Sequence, residues 1–211
     1  MQLVARIVSR LLDALAPPGC AACDAPASKT FCDACGALAP VSARLLDGIP
    51  LIVAGAYAPP LSTAIVRFKY AGRPELSRSL SQLLVPGLRE LELGPNTALV
   101  PVPLHRRRLA TRGYNQAALL AQELAASRRL VCEPRLLLRT RETERQVGKA
   151  RGARLTNASG AFALRRTGPE CVVLVDDVVT TGSTVRACAQ ALAAGGVRLE
   201  AVVALAHALP G

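Results

Sequence analysis

Tryptophan is absent from the 211 residues, and there are only three phenylalanines and three tyrosines. The core must therefore be built from Ala, Leu and Val, and the aromatic platforms on which single-strand readers stack bases are scarce. Lysine is nearly missing as well, with 3 Lys against 23 Arg. No apolar run reaches the ~18–20 residues of a spanning helix. The most apolar stretch, Ile49 to Leu61, is 13 residues long and contains Pro50, Pro59 and Pro60. Arg6, Ser9, Arg10 and Asp13 interrupt what would be the apolar core of a secretory signal. Leu3, Val4, Ile7, Val8, Leu11, Leu12 and Leu15 instead recur at helical spacing, which predicts an amphipathic helix over 1–16 packing its stripe on the body. Without an export signal the expected compartment is the cytoplasm, where thiols stay reduced. Apolar residues make up 51%, which excludes a chain disordered throughout.

The seven cysteines are unevenly spread. Cys20, Cys23, Cys32 and Cys35 form C-x2-C-x8-C-x2-C, and Gly19 and Gly36 permit tight turns beside the two hooks. Each hook lets two thiolates reach one tetrahedral Zn²⁺ at about 2.3 Å. Two disulfides would conflict with a reducing compartment, and a redox dithiol needs only one pair. With all four positions filled by Cys, the zinc is expected to be structural. Cys132, Cys171 and Cys188 stand among apolar neighbours and read as small core residues.

The pattern predicts a zinc module over 19–40 and a linker from Pro40 to Pro50. A strand is expected at 51–57, helices at 61–70 and 76–93, and a strand at 98–104 leading into an Arg-rich loop. Beyond it come a helix at 115–126, a strand at 135–139 and a polar, basic segment over 140–157. The continuous apolar run Cys171–Val175 suits a strand buried on both faces. With a helix at 183–194 and a strand at 197–206 it makes a strand–helix–strand unit, hence a parallel sheet. The expected domains are 1–44, helix and zinc module, and 45–211. Charge is concentrated: 1–99 carry a net +2, 100–157 carry 13 basic and 4 acidic residues for a net +9, and 158–211 are neutral. Such a block suits an anionic ligand, whether phosphate, pyrophosphate or a nucleic acid backbone, although charge runs are often only solvated surface.

The most informative segment is Val172–Thr184, Val-Val-Leu-Val-Asp-Asp-Val-Val-Thr-Thr-Gly-Ser-Thr. A buried strand ends at Asp176 and Asp177, and Thr180, Thr181, Gly182, Ser183 and Thr184 then open a helix. Helix N-terminal amides, the helix dipole and hydroxyls can hold a phosphate there, and Gly182 allows close backbone approach. No Walker A pattern is present. Two acids beside a phosphate make sense if they accept hydrogen bonds from sugar hydroxyls or sit near a divalent metal bridging the ligand. A capping Asp and a turn would explain only part of the run.

This run resembles the ribose-phosphate loop of type I phosphoribosyltransferases. The resemblance implies 5-phosphoribosyl-1-pyrophosphate (PRPP) and Mg²⁺ as ligands, with Asp176 and Asp177 on ribose hydroxyls and 180–184 on the 5-phosphate. The four-cysteine spacing, Lys69-Tyr70-x-Gly72, Val100-Pro-Val-Pro-Leu104, Arg112-Gly-Tyr-Asn-Gln116, Gln146 with Arg154 and Asn157, Gly160-Ala-Phe162 and the acidic loop, in that order, resemble the ComF family of competence-associated proteins. That implies a type I phosphoribosyltransferase-like α/β domain, a parallel sheet flanked by helices, behind a small N-terminal four-cysteine zinc module, linked to DNA uptake and natural transformation. Arg106, Arg107, Arg108 and Arg112 would then face the pyrophosphate, with Arg106 and Arg112 catalytic beside the two aspartates. Gln146, Lys149, Arg151 and Arg154 would belong to a flexible loop over the ligand. Lys149 and Ala153 depart from the family pattern, where an apolar residue and an acid are usual. The function expected is binding of PRPP or ribose 5-phosphate with Mg²⁺, with transfer of the phosphoribosyl group to a nitrogen base left open. The alternative is a non-catalytic protein of the same fold that binds single-stranded DNA or other DNA-uptake proteins.

Overall fold

The computed structural model describes residues 19–36, 42–140 and 160–208; the amphipathic helix expected over 1–16 and nearly all of the basic segment 140–157 lie outside them. The strands are β1 (Ser42–Leu46), β2 (Ile49–Ala56), β3 (Ala98–Pro101), β4 (Val131–Cys132), β5 (Leu137–Arg139), β6 (Phe162–Leu164), β7 (Cys171–Val179) and β8 (Arg198–His207). The helices among the described residues are α1 (Leu61–Tyr70), α2 (Leu76–Gln82), α3 (Val85–Glu90), α4 (Arg106–Arg112), α5 (Gln116–Arg128) and α6 (Ser183–Ala194). Six strands form one sheet in the order β1-β2-β8-β7-β3-β4, and β5 pairs separately with β6. Only β1–β2 is antiparallel in the large sheet. The expected class, a parallel sheet flanked by helices, is observed.

Side chains alternate between the faces of a strand, and this sheet is covered on both. Val173 and Val175 of β7, Val203 and Leu205 of β8 and Leu99 of β3 pack with α1, α2, α3 and α5. Val172, Leu174, Val202, Ala204 and Val100 pack with α6 and the β5–β6 pair. Cys20, Ala21 and Phe31 are buried in the first of these clusters, so the cysteine module sits on the α1 side.

Four local expectations change. The stretch read as a linker contains β1, joined to β2 by a two-residue turn in which Asp47 (φ 53°) and Gly48 (φ 81°) are both left-handed. That is the Asp-Gly hairpin signal, which favours φ > 0 at both central positions. The helix expected over 76–93 is two short ones, with Pro86 in the first turn of α3. The Arg-rich loop is largely the helix α4, closed by Gly113 at φ 79°. Finally, β7 continues through both aspartates to Val179. No helix among the described residues is long and apolar enough to cross a membrane.

Candidate functional site

β3 leads through α5 to β4 on one side, whereas β7 leads through α6 to β8 on the other. These two strands are parallel neighbours. Their connections diverge, so a crevice opens beyond their carboxyl ends, where open α/β sheets bind ligands. The hydroxyl-rich turn after β7 and the Arg-rich segment after β3 both emerge at this edge. Pro101 is in register with Val175, and the Val102 amide donates to the Val175 carbonyl at 2.8 Å. The end of β3 is thus level with the start of the acidic pair.

Gly182 caps α6 at φ 76°, with no side-chain cap and no acid in the first turn. The helix N-terminus is therefore unblocked, an arrangement that attracts anions. Thr180 is exposed, while Thr181, Ser183 and Thr184 are half-buried or deeper. A Cβ on Gly182 would stand 2.8 Å from Leu46 Cδ1, so the β1–β2 hairpin packs against this turn. Arg186, in the first turn of α6, donates from Nη1 to the Thr181 carbonyl (2.7 Å) and from Nε to Asp47 Oδ2 (2.5 Å). Neither Arg186 nor Asp47 was expected from sequence; the Asp-Gly turn was the signal available.

Being adjacent on a strand, Asp176 and Asp177 take opposite faces of the sheet. Asp177 lies on the α1 face, where its Oδ1 is 2.7 Å from Lys69 Nζ. Asp176 Oδ1 accepts from the Asp177 amide at 2.8 Å. Burial, and next the Asp177 charge, push the Asp176 carboxyl up to about 7, against partial lowering by that amide, Lys69 and Arg139. The Cys188 thiol of α6 shares its surroundings and is itself pushed up by burial.

In α4, Arg108 and Arg112 are four residues apart on one helical face, whereas Arg106 is exposed at the start of the helix. Arg112 is already engaged. It donates to Gln116 Oε1 (3.2 Å) and Tyr70 Oη (3.1 Å), with its guanidinium 4.8 Å from the Tyr70 ring centroid. Gln146, Lys149, Arg151 and Arg154 lie outside the described residues.

The thiols of Cys20, Cys23, Cys32 and Cys35 all lie within 4.8 Å of one another, and Cys23 and Cys32 are 3.6 Å apart. Tetrahedral Zn–S bonds of about 2.3 Å place sulfurs about 3.8 Å apart, so the cluster is compatible with a structural zinc. Burial pushes Cys20 up, but backbone amides at Cys32, Ala22 and Cys23 and the neighbouring Cys23 outweigh it and bring it down to about 6. The other thiols push Cys35 up to about 12, hydrogen bonding from Cys23 first. The module docks by named contacts. Arg67 donates to the Ala21 carbonyl (3.2 Å), Arg67 and Arg73 both pair with Asp24, and Thr30 Oγ1 donates to the Ser79 carbonyl (2.9 Å).

No family model matches the chain. The chain is 37% identical over 209 residues to DNA utilization protein YhgH of Escherichia coli O157:H7, covering 90% of each. It is 36% identical over 166 residues to competence protein F of Haemophilus influenzae, covering 75% of this chain and 72% of that one. Competence protein ComFC of Bacillus subtilis is 29% identical over 134 residues, 63% of this chain and 53% of that one. Among solved structures, adenine phosphoribosyltransferase of Trypanosoma brucei is similar at 14% identity and a TM-score of 0.41, over 80% of this chain and 87% of that one. The enzyme of Leishmania donovani is similar at 20% identity and a TM-score of 0.38, over 66% and 55%.

Two outcomes follow from this geometry. Purified protein is expected to hold one zinc per chain by elemental analysis. Its removal by a chelator should lower the melting temperature, because Cys20, Ala21 and Phe31 are part of the α1-side core. Metal-free protein melting unchanged would contradict it. The raised Asp176 carboxyl also makes stability depend on pH. Below about pH 4 the folded and unfolded chains both keep this proton; above about pH 7 both have lost it. Between them only the unfolded chain has released it, so stability falls as pH rises through that window. Asp176→Asn should flatten this fall and melt several degrees above wild type at pH 8. A difference independent of pH, measured by calorimetry, would refute the assignment.

Proposed function

The chain belongs to the family of competence protein F and DNA utilization protein YhgH, and from that premise we propose that it binds PRPP or ribose 5-phosphate at the crevice between β3 and β7. The observation behind this is the unblocked N-terminus of α6, with its hydroxyl-rich turn and acidic pair, at the edge where the Arg-rich segment also emerges. Thr180, Thr181, Gly182, Ser183 and Thr184 take the 5-phosphate, through first-turn amides and hydroxyls. Asp177, and Asp176 behind it, accept from ribose hydroxyls. Arg108 and Arg112 approach the pyrophosphate from one face of α4, with Arg106 and Arg107 beside them.

Among the described residues only the four cysteines form a group of three or more metal-ligating side chains. Mg²⁺ would arrive on the ligand's own phosphates beside the acidic pair and would ease departure of the pyrophosphate. A nitrogen nucleophile attacks C1 of the pentose as the C1–O bond to pyrophosphate breaks. Arginine hydrogen bonds stabilise the charge that builds on the leaving group. Gln146, Lys149, Arg151 and Arg154 are assigned to a loop covering the ligand. The division into a module and a phosphoribosyltransferase-like domain belongs to the same reading, as does a role in DNA uptake in the cytoplasm; the boundary expected at 44/45 would cut β1, so it moves ahead of Ser42.

A second reading rests on the run Arg106-Arg107-Arg108, none of it buried, within the +9 segment. It suits the backbone of single-stranded DNA, or another DNA-uptake protein, without need of aromatic stacking.

The Asp176→Asn/Asp177→Asn double variant separates the two sites. Its affinity for PRPP with Mg²⁺, by titration calorimetry, should fall at least tenfold, about 1.4 kcal/mol, while affinity for single-stranded DNA stays unchanged. Unaltered PRPP binding would overturn the assignment. Pyrophosphate release over a panel of bases tests transfer, and binding without release for any of them would confine the function to binding. Arg106→Ala/Arg107→Ala should reduce the salt slope of DNA binding by about 1.4, at ~0.7 per phosphate contact. An unchanged slope would remove the DNA reading.

A further inference from the structure

Lys69 is the penultimate residue of α1, and a lysine in a last turn ordinarily reaches into water. Here it does not. Its Nζ lies 2.7 Å from Asp177 Oδ1, with the two side chains only 13% and 15% exposed. The ammonium therefore holds one of the two Asp177 carboxylate oxygens.

The turn that presents Lys69 is gripped from two sides. The Phe68 carbonyl, one of the helix-end acceptors that usually turn to water, takes hydrogen bonds from Tyr114 Oη at 2.5 Å and Gln116 Nε2 at 3.4 Å. The Tyr114 ring lies 6.0 Å from that of Phe68, and Arg112 holds Tyr70. Asn115 caps α5 by accepting from the Ala117 amide (3.1 Å) and donates to the Val102 carbonyl (3.0 Å), joining the same segment to the end of β3. On the other side Arg67 and Arg73 bind Asp24 of the cysteine module. Tyr114, Asn115 and Gln116 thus tie together the end of α1, the start of α5 and the end of β3, and Arg112 adds two of its five N–H groups. The side chain this brace delivers to the acidic pair is Lys69.

We infer that Lys69 is a positioning residue for Asp177: its ammonium neutralises the carboxylate and turns Oδ2 to the pentose hydroxyl, and residues 112–116 brace the turn that carries it. This rests on the pentose-phosphate reading above. Lys69 acts through Asp177 and needs no contact with the ligand itself. Without the ammonium the Asp177 side chain loses the contact that fixes its orientation, and Oδ2 is no longer held toward a hydroxyl.

The test is the affinity for PRPP with Mg²⁺, by titration calorimetry, of wild type, Lys69→Met, Lys69→Arg, Asp177→Asn and the Lys69→Met/Asp177→Asn double variant. Lys69→Met should bind about tenfold more weakly or worse, Lys69→Arg should recover to within about threefold of wild type, and Lys69→Met should add nothing in the Asp177→Asn background. Wild-type affinity in Lys69→Met overturns the inference. So does an Arg variant as weak as the Met one, or the same loss with and without Asp177, which would mark a general structural role or a direct ligand contact. Should Lys69→Met fail to fold, Tyr114→Phe replaces it. That variant keeps the ring and removes the bond to the Phe68 carbonyl. It should weaken binding a few-fold with Asp177 present and not at all in the Asp177→Asn background, and equal binding to wild type would overturn the brace. Wild-type protein that binds no PRPP overturns the pentose-phosphate reading itself, a result distinct from every outcome that faults Lys69 alone.

Discussion

The parallel pairing of β3 with β7 is the constraint from which the site derives. Four registered pairs, Ala98 with Val172 through Pro101 with Val175, bring two segments some seventy residues apart in sequence to one edge. Because β3 is followed by α5 on its way to β4 and β7 by α6 on its way to β8, the two connections part there and leave a crevice. The order of strands explains why an Arg-rich stretch and an acidic, hydroxyl-rich stretch with no sequence proximity emerge at the same edge of the sheet. The pairing is held by burial on both faces: Val172 and Leu174 enter one cluster, Val173 and Val175 the other. Strand burial and site placement are therefore the same event.

Much of this was legible in the residues, and the failures have physical causes. The run Cys171–Val175 announced a doubly covered strand, and the helix expected at 183–194 is α6. The strand's length was underestimated because carboxylates were expected to end it; main-chain pairing to β8 continues past them, from Asp176 with Ala204 to Val179 with His207. α4 was hidden because its sequence, Arg-Arg-Arg-Leu-Ala-Thr-Arg, has good helix formers but none of its side chains is buried, so no apolar periodicity marks it. β1 was hidden inside a presumed linker although Asp47-Gly48 signalled its turn. Lys69 left no sequence signal of its pairing with Asp177, since a basic residue on a helix reads as solvated until the partner strand is placed, and for Arg186 the Asp47-Gly48 turn was the one hint.

The scarcity of aromatics acquires a meaning in the fold. Of six such residues, Phe68, Tyr70 and Tyr114 gather at the end of α1, where one ring pair and one cation–π contact form. The aliphatic core needs few rings, because Leu, Val and Ala fill both faces of the sheet. The rings sit where a rigid body and a polar handle are both required: each tyrosine hydroxyl there reaches a named partner, Tyr114 the Phe68 carbonyl and Tyr70 the Arg112 guanidinium.

The same turn of α1 connects the cysteine module to the acidic pair. Asp24 is half exposed, and ion pairs in contact with water contribute little, so the salt bridges to Arg67 and Arg73 are weak anchors by themselves. What fixes the module is the burial of Cys20, Ala21 and Phe31 in the α1-side core, with hydrogen bonds from Arg67 to the Ala21 carbonyl and from Thr30 to the Ser79 carbonyl. Four thiols within 4.8 Å shape that small surface. The backbone amides that lower Cys20 are set by the same two hooks that a tetrahedral ion would close. Cys20, Cys23, Cys32 and Cys35 would hold the ion, which would keep in place the loop whose Ala21 carbonyl Arg67 grips, two residues before Lys69.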